Sequence, residues 1–141
     1  MTATCNIPLI NRAETHADRC AVIAMEGRFS YRQLLDDSAK VASCLLAGKE
    51  DLQETRVAFL TPPGYEYVVI QWAVWMAGGI AVPLCVLHPR PELEYVITNS
   101  DAAIVIAHPE FADRLQPVAD AQGRRFLLNS ELFDSPPGSL P

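Results

Sequence analysis

Apolar and polar positions along this chain repeat in two different periods, and the switches between them outline its elements. Residues 7–17 read as a short helix. "CAVIAM" (20–25) is an apolar run of strand length, and Gly27 marks a turn after it. From Ser30 the pattern becomes helical. Leu34, Leu35, Val41, Ala42, Leu45 and Leu46 fall on one stripe, with Asp36, Asp37 and Lys40 off it. Ser30 with Gln33 forms a capping box, and Gly48 is placed to end the helix in the left-handed conformation.

"RVAFLT" (56–61) is a short strand, followed by the loop Pro62-Pro63-Gly64. "YEYVVIQWAVWMA" (65–77) is a helix apolar almost all round, which requires cover on most sides. Gly78-Gly79 stop it. "IAVPL" (80–84) is β-branched and uncharged, as expected of a central parallel strand, with Pro83 near its end. "CVLHPR" is a loop leading to Pro91 at a first helical position, with Leu93, Val96 and Ile97 as the buried face. "AAIVIA" (102–107) is a strand, "PEFADRLQPVADAQ" a helix despite Pro117, and "RFLL" (125–128) a last short strand.

Strands alternating with helices in this way imply βαβ units with right-handed crossovers. The expected fold is α/β: a mostly parallel sheet of about five strands with helices on both faces. Residues 1–130 form one α/β domain, and 131–141 a flexible Pro-rich tail or truncated linker. The stretch 68–87 carries no charge over a length that could span a bilayer. Gln71, Gly78, Gly79 and Pro83 interrupt it, so no membrane span is expected.

The net charge of -6 removes the basic footprint of a nucleic-acid binder. Cys5, Cys20, Cys44 and Cys85 share no C-x-x-C spacing, which argues against zinc and dithiol redox chemistry. Three of the four lie in apolar patterns and are expected to be buried. The N-terminus lacks an apolar signal segment and an Arg-rich presequence, so an intracellular, cytoplasmic location is the default expectation.

Candidate ligand loops follow the strands, at 61–64, 85–91 and 108–110. The seven glycines form neither phosphate-cradling motif. His88 and His108 both follow strands and lie near one end of the sheet, but no carboxylate partner is fixed by spacing, so two solvated loop histidines are the expectation. Asp36-Asp37 read as a solvated helix face, and Ser30 and Ser38 have no nucleophile-elbow context. Trp72, Trp75, Tyr65 and Tyr67 read as core or interface. A receiver-type signalling domain has a similar rhythm but needs an acidic cluster that the strand ends here do not offer beyond Glu26. No catalytic residue and no metal ligand is expected.

Three stretches carry a resemblance. "FSYRQLLDDSAKVASCLLAG", "RVAFLTPPGYEYVVIQWAVWMAGGIAVPL" and "HPRPELEYVITNSDAAIVIA" resemble, in this order, the opening segments of AMP-forming adenylating enzymes, the acyl-CoA synthetase superfamily. The likeness covers about residues 8–128, and "QWAVWMAGG", "VPL", "HP" and "LEYVI" are most similar to the malonyl-CoA synthetase branch.

The resemblance implies a parent reaction in which ATP activates a carboxylate to an acyl-adenylate and the acyl group then passes to CoA. ATP, Mg and CoA are implied for the complete enzyme, and no cofactor for this chain. The family's phosphate loop and catalytic Lys lie downstream of everything present, so an N-terminal portion inactive by itself is the expectation. The alternative is a stand-alone, non-catalytic module binding acyl-CoA or a partner. The implied partner is the remainder of the synthetase or a companion chain. By the same resemblance the loop 85–91 faces the side where CoA approaches, with His88 and Arg90 as its polar contacts. The family also implies a mitochondrial setting as an option.

Overall fold

A computed structural model describes residues 7–134, so Cys5 and the tail residues 135–141 lie outside the described residues. The order is α1 (Pro8–Glu14), β1 (Cys20–Ala24), β2 (Gly27–Ser30), α2 (Tyr31–Leu46), β3 (Arg56–Leu60), α3 (Tyr65–Met76), β4 (Ile80–Pro83) and α4 (Arg90–Ser100). Then come β5 (Ile104–Ala107), a 3-10 turn (Pro109–Phe111), α5 (Ala112–Ala121), β6 (Arg125–Leu128) and α6 (Asn129–Phe133). The fold is α/β. Its main sheet is wholly parallel, with strand order β4-β3-β5-β6.

Two helical layers cover this sheet, and the strands show why. Val57 and Phe59 of β3, with Ile104 and Ile106 of β5, point into a core built with α1, α2, α3 and α6. Their neighbours Ala58, Leu60, Val105 and Ala107 point into a second core with Leu93 and Ile97 of α4 and Leu115 and Val118 of α5. A strand buried on both faces needs an unbroken apolar run, and β5 is buried at all four positions.

The expected sheet of about five strands is corrected in its membership. β1 does not join it. The two-residue turn Met25-Glu26 returns the chain as β2, with Ala24 paired to Gly27 in an antiparallel hairpin. Gly27, at φ +138°, enters that return strand. β4 is likewise an edge strand among the described residues rather than a central one. The N–H groups of Ile80 and Leu84 donate to Thr55 and Phe59 on the β3 side. Strand alternation therefore turns position 83 away from β3, where proline loses no ladder bond.

The helices follow their local signals closely. Ser30 Oγ accepts from the Gln33 N–H at 3.2 Å while Gln33 Oε1 accepts from the Ser30 N–H at 2.8 Å, closing the capping box. At the other end Ala47 takes the left-handed position at φ 49°, one residue before Gly48. α4 opens at Arg90, with Pro91 second rather than first. α5 runs through Pro117, which sits on the exposed face. α3 is covered by α2, the sheet and the hairpin, and none of its residues is exposed. No helix among the described residues is long and apolar enough to cross a membrane.

Two further expectations are corrected. Residues 129–133, assigned in part to the tail, form α6, whose Leu132 is buried in the first core and whose Phe133 carbonyl accepts from Lys40. Cys20 and Cys85 are exposed and Cys44 is half-buried, because the first begins the hairpin and the second lies in the loop after β4.

Candidate functional site

Parallel α/β sheets present ligands at the C-terminal ends of their strands, where chain ends and helix starts converge. After β3, Thr61 and Asn129 are both buried. Thr61 Oγ1 lies 3.3 Å from Asn129 Oδ1, and Asn129 Nδ2 donates to Glu66 Oε1 at 2.9 Å. These contacts tie the ends of β3 and β6 to the first turn of α3.

The N-terminus of α3 would ordinarily favour an anion. Here a carboxylate of the same chain takes that place: Glu26, on the hairpin turn, accepts the Tyr65 N–H at 3.1 Å. The Tyr65 ring stacks on Phe29 with centroids 3.6 Å apart, and its hydroxyl donates to Asp37 at 2.6 Å. Burial, and then the hydrogen bond to Asp37, push the phenol above its ordinary value, so it stays a donor at neutral pH. Asp36 is exposed as expected, but Asp37 is half-buried and engaged, a partnership that adjacency on the helix does not reveal.

Around the ends of β4 and β5 the candidates from the sequence meet a residue that it did not single out. Arg114, on the first turns of α5, donates from Nη1 to the carbonyls of Val86 at 3.0 Å and His88 at 2.9 Å. Its guanidinium lies 4.8 Å from the centroid of the Phe111 ring. The His108 ring sits 6.1 Å from the same phenyl, and its Nδ1 accepts the Glu110 N–H at 3.1 Å, capping the 3-10 turn. The loops carrying His88 and His108 are thus joined through Arg114 and Phe111. His88 and Arg90 are both exposed and His108 is half-buried. An open groove of about 550 Å³ continues along α4, lined by Arg90, Pro91, Glu94, Tyr95 and Thr98.

Chemically this end of the sheet offers exposed cationic and imidazole groups on a loop whose carbonyls are turned inward. The groove beside it sets the guanidinium of Arg90 and the carboxylate of Glu94 in one lining. No group of three or more His, Cys, Asp or Glu among the described residues is arranged to hold a metal ion. The sequence does not single out Arg114 or Asn129, and it names Glu26 without its role at α3, because their partners lie 26, 63 and 39 residues away.

The family model of the AMP-binding enzyme matches residues 9–135. The mitochondrial malonate–CoA ligase ACSF3 of Mus musculus is 43% identical over 122 residues, covering 84% of this chain and 21% of that protein. Its Homo sapiens counterpart is 42% identical over 120 residues, covering 82% and 21%. Among solved structures, apo MatB from Rhodopseudomonas palustris superposes with a TM-score of 0.73 at 28% identity, over 91% of this chain and 25% of that one. The chain spans about a fifth of the length of the curated relatives it matches.

Proposed function

This chain belongs to the AMP-binding enzyme family, and on that premise we propose that it supplies the N-terminal scaffold of an AMP-forming acyl-CoA synthetase with malonate as its acid. The identity of 43% over 122 residues to a malonate–CoA ligase carries this reading. In the proposed reaction ATP activates the carboxylate to an acyl-adenylate, and CoA then takes the acyl group as a thioester. ATP, Mg and CoA serve the complete enzyme.

Within it, residues 7–134 provide the covered parallel sheet. His88 and Arg90 face the side on which CoA approaches. Their exposure at the C-terminal end of β4, with the backbone between them and Arg114 turned inward, supports that assignment. Adenylate formation belongs to segments that follow this region in the longer relatives. The partner is accordingly the remainder of a synthetase, in the same chain or a companion one. Similarity to the mitochondrial ACSF3 ligases supports a mitochondrial location, which fractionation of tagged cells distinguishes from a cytoplasmic one.

The test is malonate-dependent ATP–pyrophosphate exchange. The 141-residue chain by itself is expected to give none. Mixing it with a polypeptide corresponding to the remaining part of a malonate–CoA ligase is expected to restore exchange. Activity from these residues unaided would overturn the assignment of adenylation to other segments.

A further inference from the structure

We infer that Arg114 is a positioning residue for the loop between β4 and α4; its functional half rests on the reading that this loop faces CoA. The loop 84–89 is anchored at its start, where the Leu84 N–H donates to the Phe59 carbonyl at 2.9 Å and Leu84 and Val86 pack on the second core, and it is open further on. Leu87, His88 and Pro89 are exposed, and the one turn bond within the loop runs from the His88 N–H to the Cys85 carbonyl at 3.1 Å. Over the open part, Arg114 supplies the side-chain hydrogen bonds. A single nitrogen, Nη1, donates to two carbonyls two residues apart, so the strut fixes both the distance of the loop from α5 and its rotation.

The strut itself is anchored. Leu115, the next residue, is buried in the second core, and the Phe111 ring lies beneath the guanidinium. Turning the Val86 and His88 carbonyls inward leaves the His88 side chain on the exposed side. Pro89 then enters α4 with a fixed φ and sets Arg90 one peptide further on. Arg114 thus holds His88 and Arg90 in one fixed mutual arrangement without itself being required to touch the ligand. Preorganising a loop in this way removes an ordering cost from binding.

The experiment follows amide hydrogen exchange of residues 85–88 in this chain paired with the polypeptide that supplies the remaining part of the ligase, with and without CoA, together with the CoA dissociation constant. Arg114→Ala is expected to raise exchange about ten-fold in this loop and to weaken CoA about five-fold. Arg114→Lys keeps a cationic donor on a shorter stem, so both effects are expected to be smaller than for Arg114→Ala, about two-fold. Arg125→Ala is the control: Arg125 also donates to two carbonyls, those of Leu45 and Cys44, but on another part of the fold, and it is expected to move neither readout. Should Arg114→Ala not fold, Phe111→Leu removes the supporting ring without removing a hydrogen bond, and about a two-fold rise in loop exchange is expected.

Unchanged loop exchange in these variants overturns the inference outright. Raised exchange with unaltered CoA affinity reduces Arg114 to a stabilising contact and also overturns it. Failure of CoA to protect the loop in the unsubstituted pair, while that pair still binds CoA, is the separate signature that the CoA-side reading is wrong.

Discussion

The carboxylate of Glu26 accepts the backbone N–H of Tyr65 at 3.1 Å, so the tip of a two-stranded hairpin caps a helix that starts 39 residues later. A helix N-terminus carries unpaired N–H groups and a partial positive charge, and a carboxylate answers both. Glu26→Ala is expected to cost about 1 kcal/mol and Glu26→Gln about half of that. Urea denaturation monitored by the tryptophans on α3 reads this directly. A midpoint identical to that of the unsubstituted chain would remove the hairpin from the list of things that hold α3.

The Tyr65 hydroxyl sits 2.6 Å from Asp37, and the phenol's pKa is raised by burial and by that bond. A group that binds its proton more tightly when folded contributes fully below its unfolded pKa, about 10 for tyrosine. That contribution is lost as pH climbs from there toward the folded value. Tyr65→Phe is therefore expected to cost about 1 kcal/mol at neutral pH and to lose stability less steeply above about pH 10. Parallel alkaline limbs for the two proteins would contradict the linkage.

Ser38 lies on the buried stripe of α2, and its Oγ has no hydrogen-bond partner among the described residues. A buried hydroxyl without a partner costs more than it returns, and alanine is the better helix former. Ser38→Ala is expected to raise stability by about 0.5–1 kcal/mol. A loss of stability of that size would mean that the hydroxyl is bonded in solution.

Gly78 turns the chain between α3 and β4 at φ +84°, and a Cβ built there would lie 2.1 Å from Asp51 Oδ1. Asp51 cannot yield freely, because the same oxygen accepts the Gln53 N–H at 2.7 Å. Gly123 is also left-handed, at φ +66°, but opens onto empty space. Gly78→Ala is expected to cost about 2–3 kcal/mol and Gly123→Ala about 1. Equal losses in thermal unfolding would show that the contact with Asp51 contributes nothing beyond the backbone angle.

The parts of the fold legible in the sequence are those set by near neighbours. The capping box at Ser30 and Gln33, the stripe Leu34–Val41–Leu45 and the wholly apolar "IVIA" of β5 each depend on residues within a few positions. The same locality let "CAVIAM" pass as a strand of the main sheet, since nothing in it distinguishes a hairpin strand from a parallel one. The candidate site was legible only as two loops. His88 and Arg90 follow a strand visibly, but Arg114 sits in "FADRLQ", an ordinary surface pattern of a helix.

From its residues alone this chain determined an alternation of helices and strands, a mainly parallel sheet covered on two sides, and membership of a family of AMP-binding enzymes, because periodicity, caps and motifs are short-range properties. Only the tertiary structure decided that β1 leaves the sheet, that β4 lies at the edge of the described sheet, that Glu26 caps α3 and that Arg114 grips the loop after β4. Those outcomes depend on which surfaces pack together after long loops close, and that choice is made by the whole set of buried contacts rather than by any one stretch.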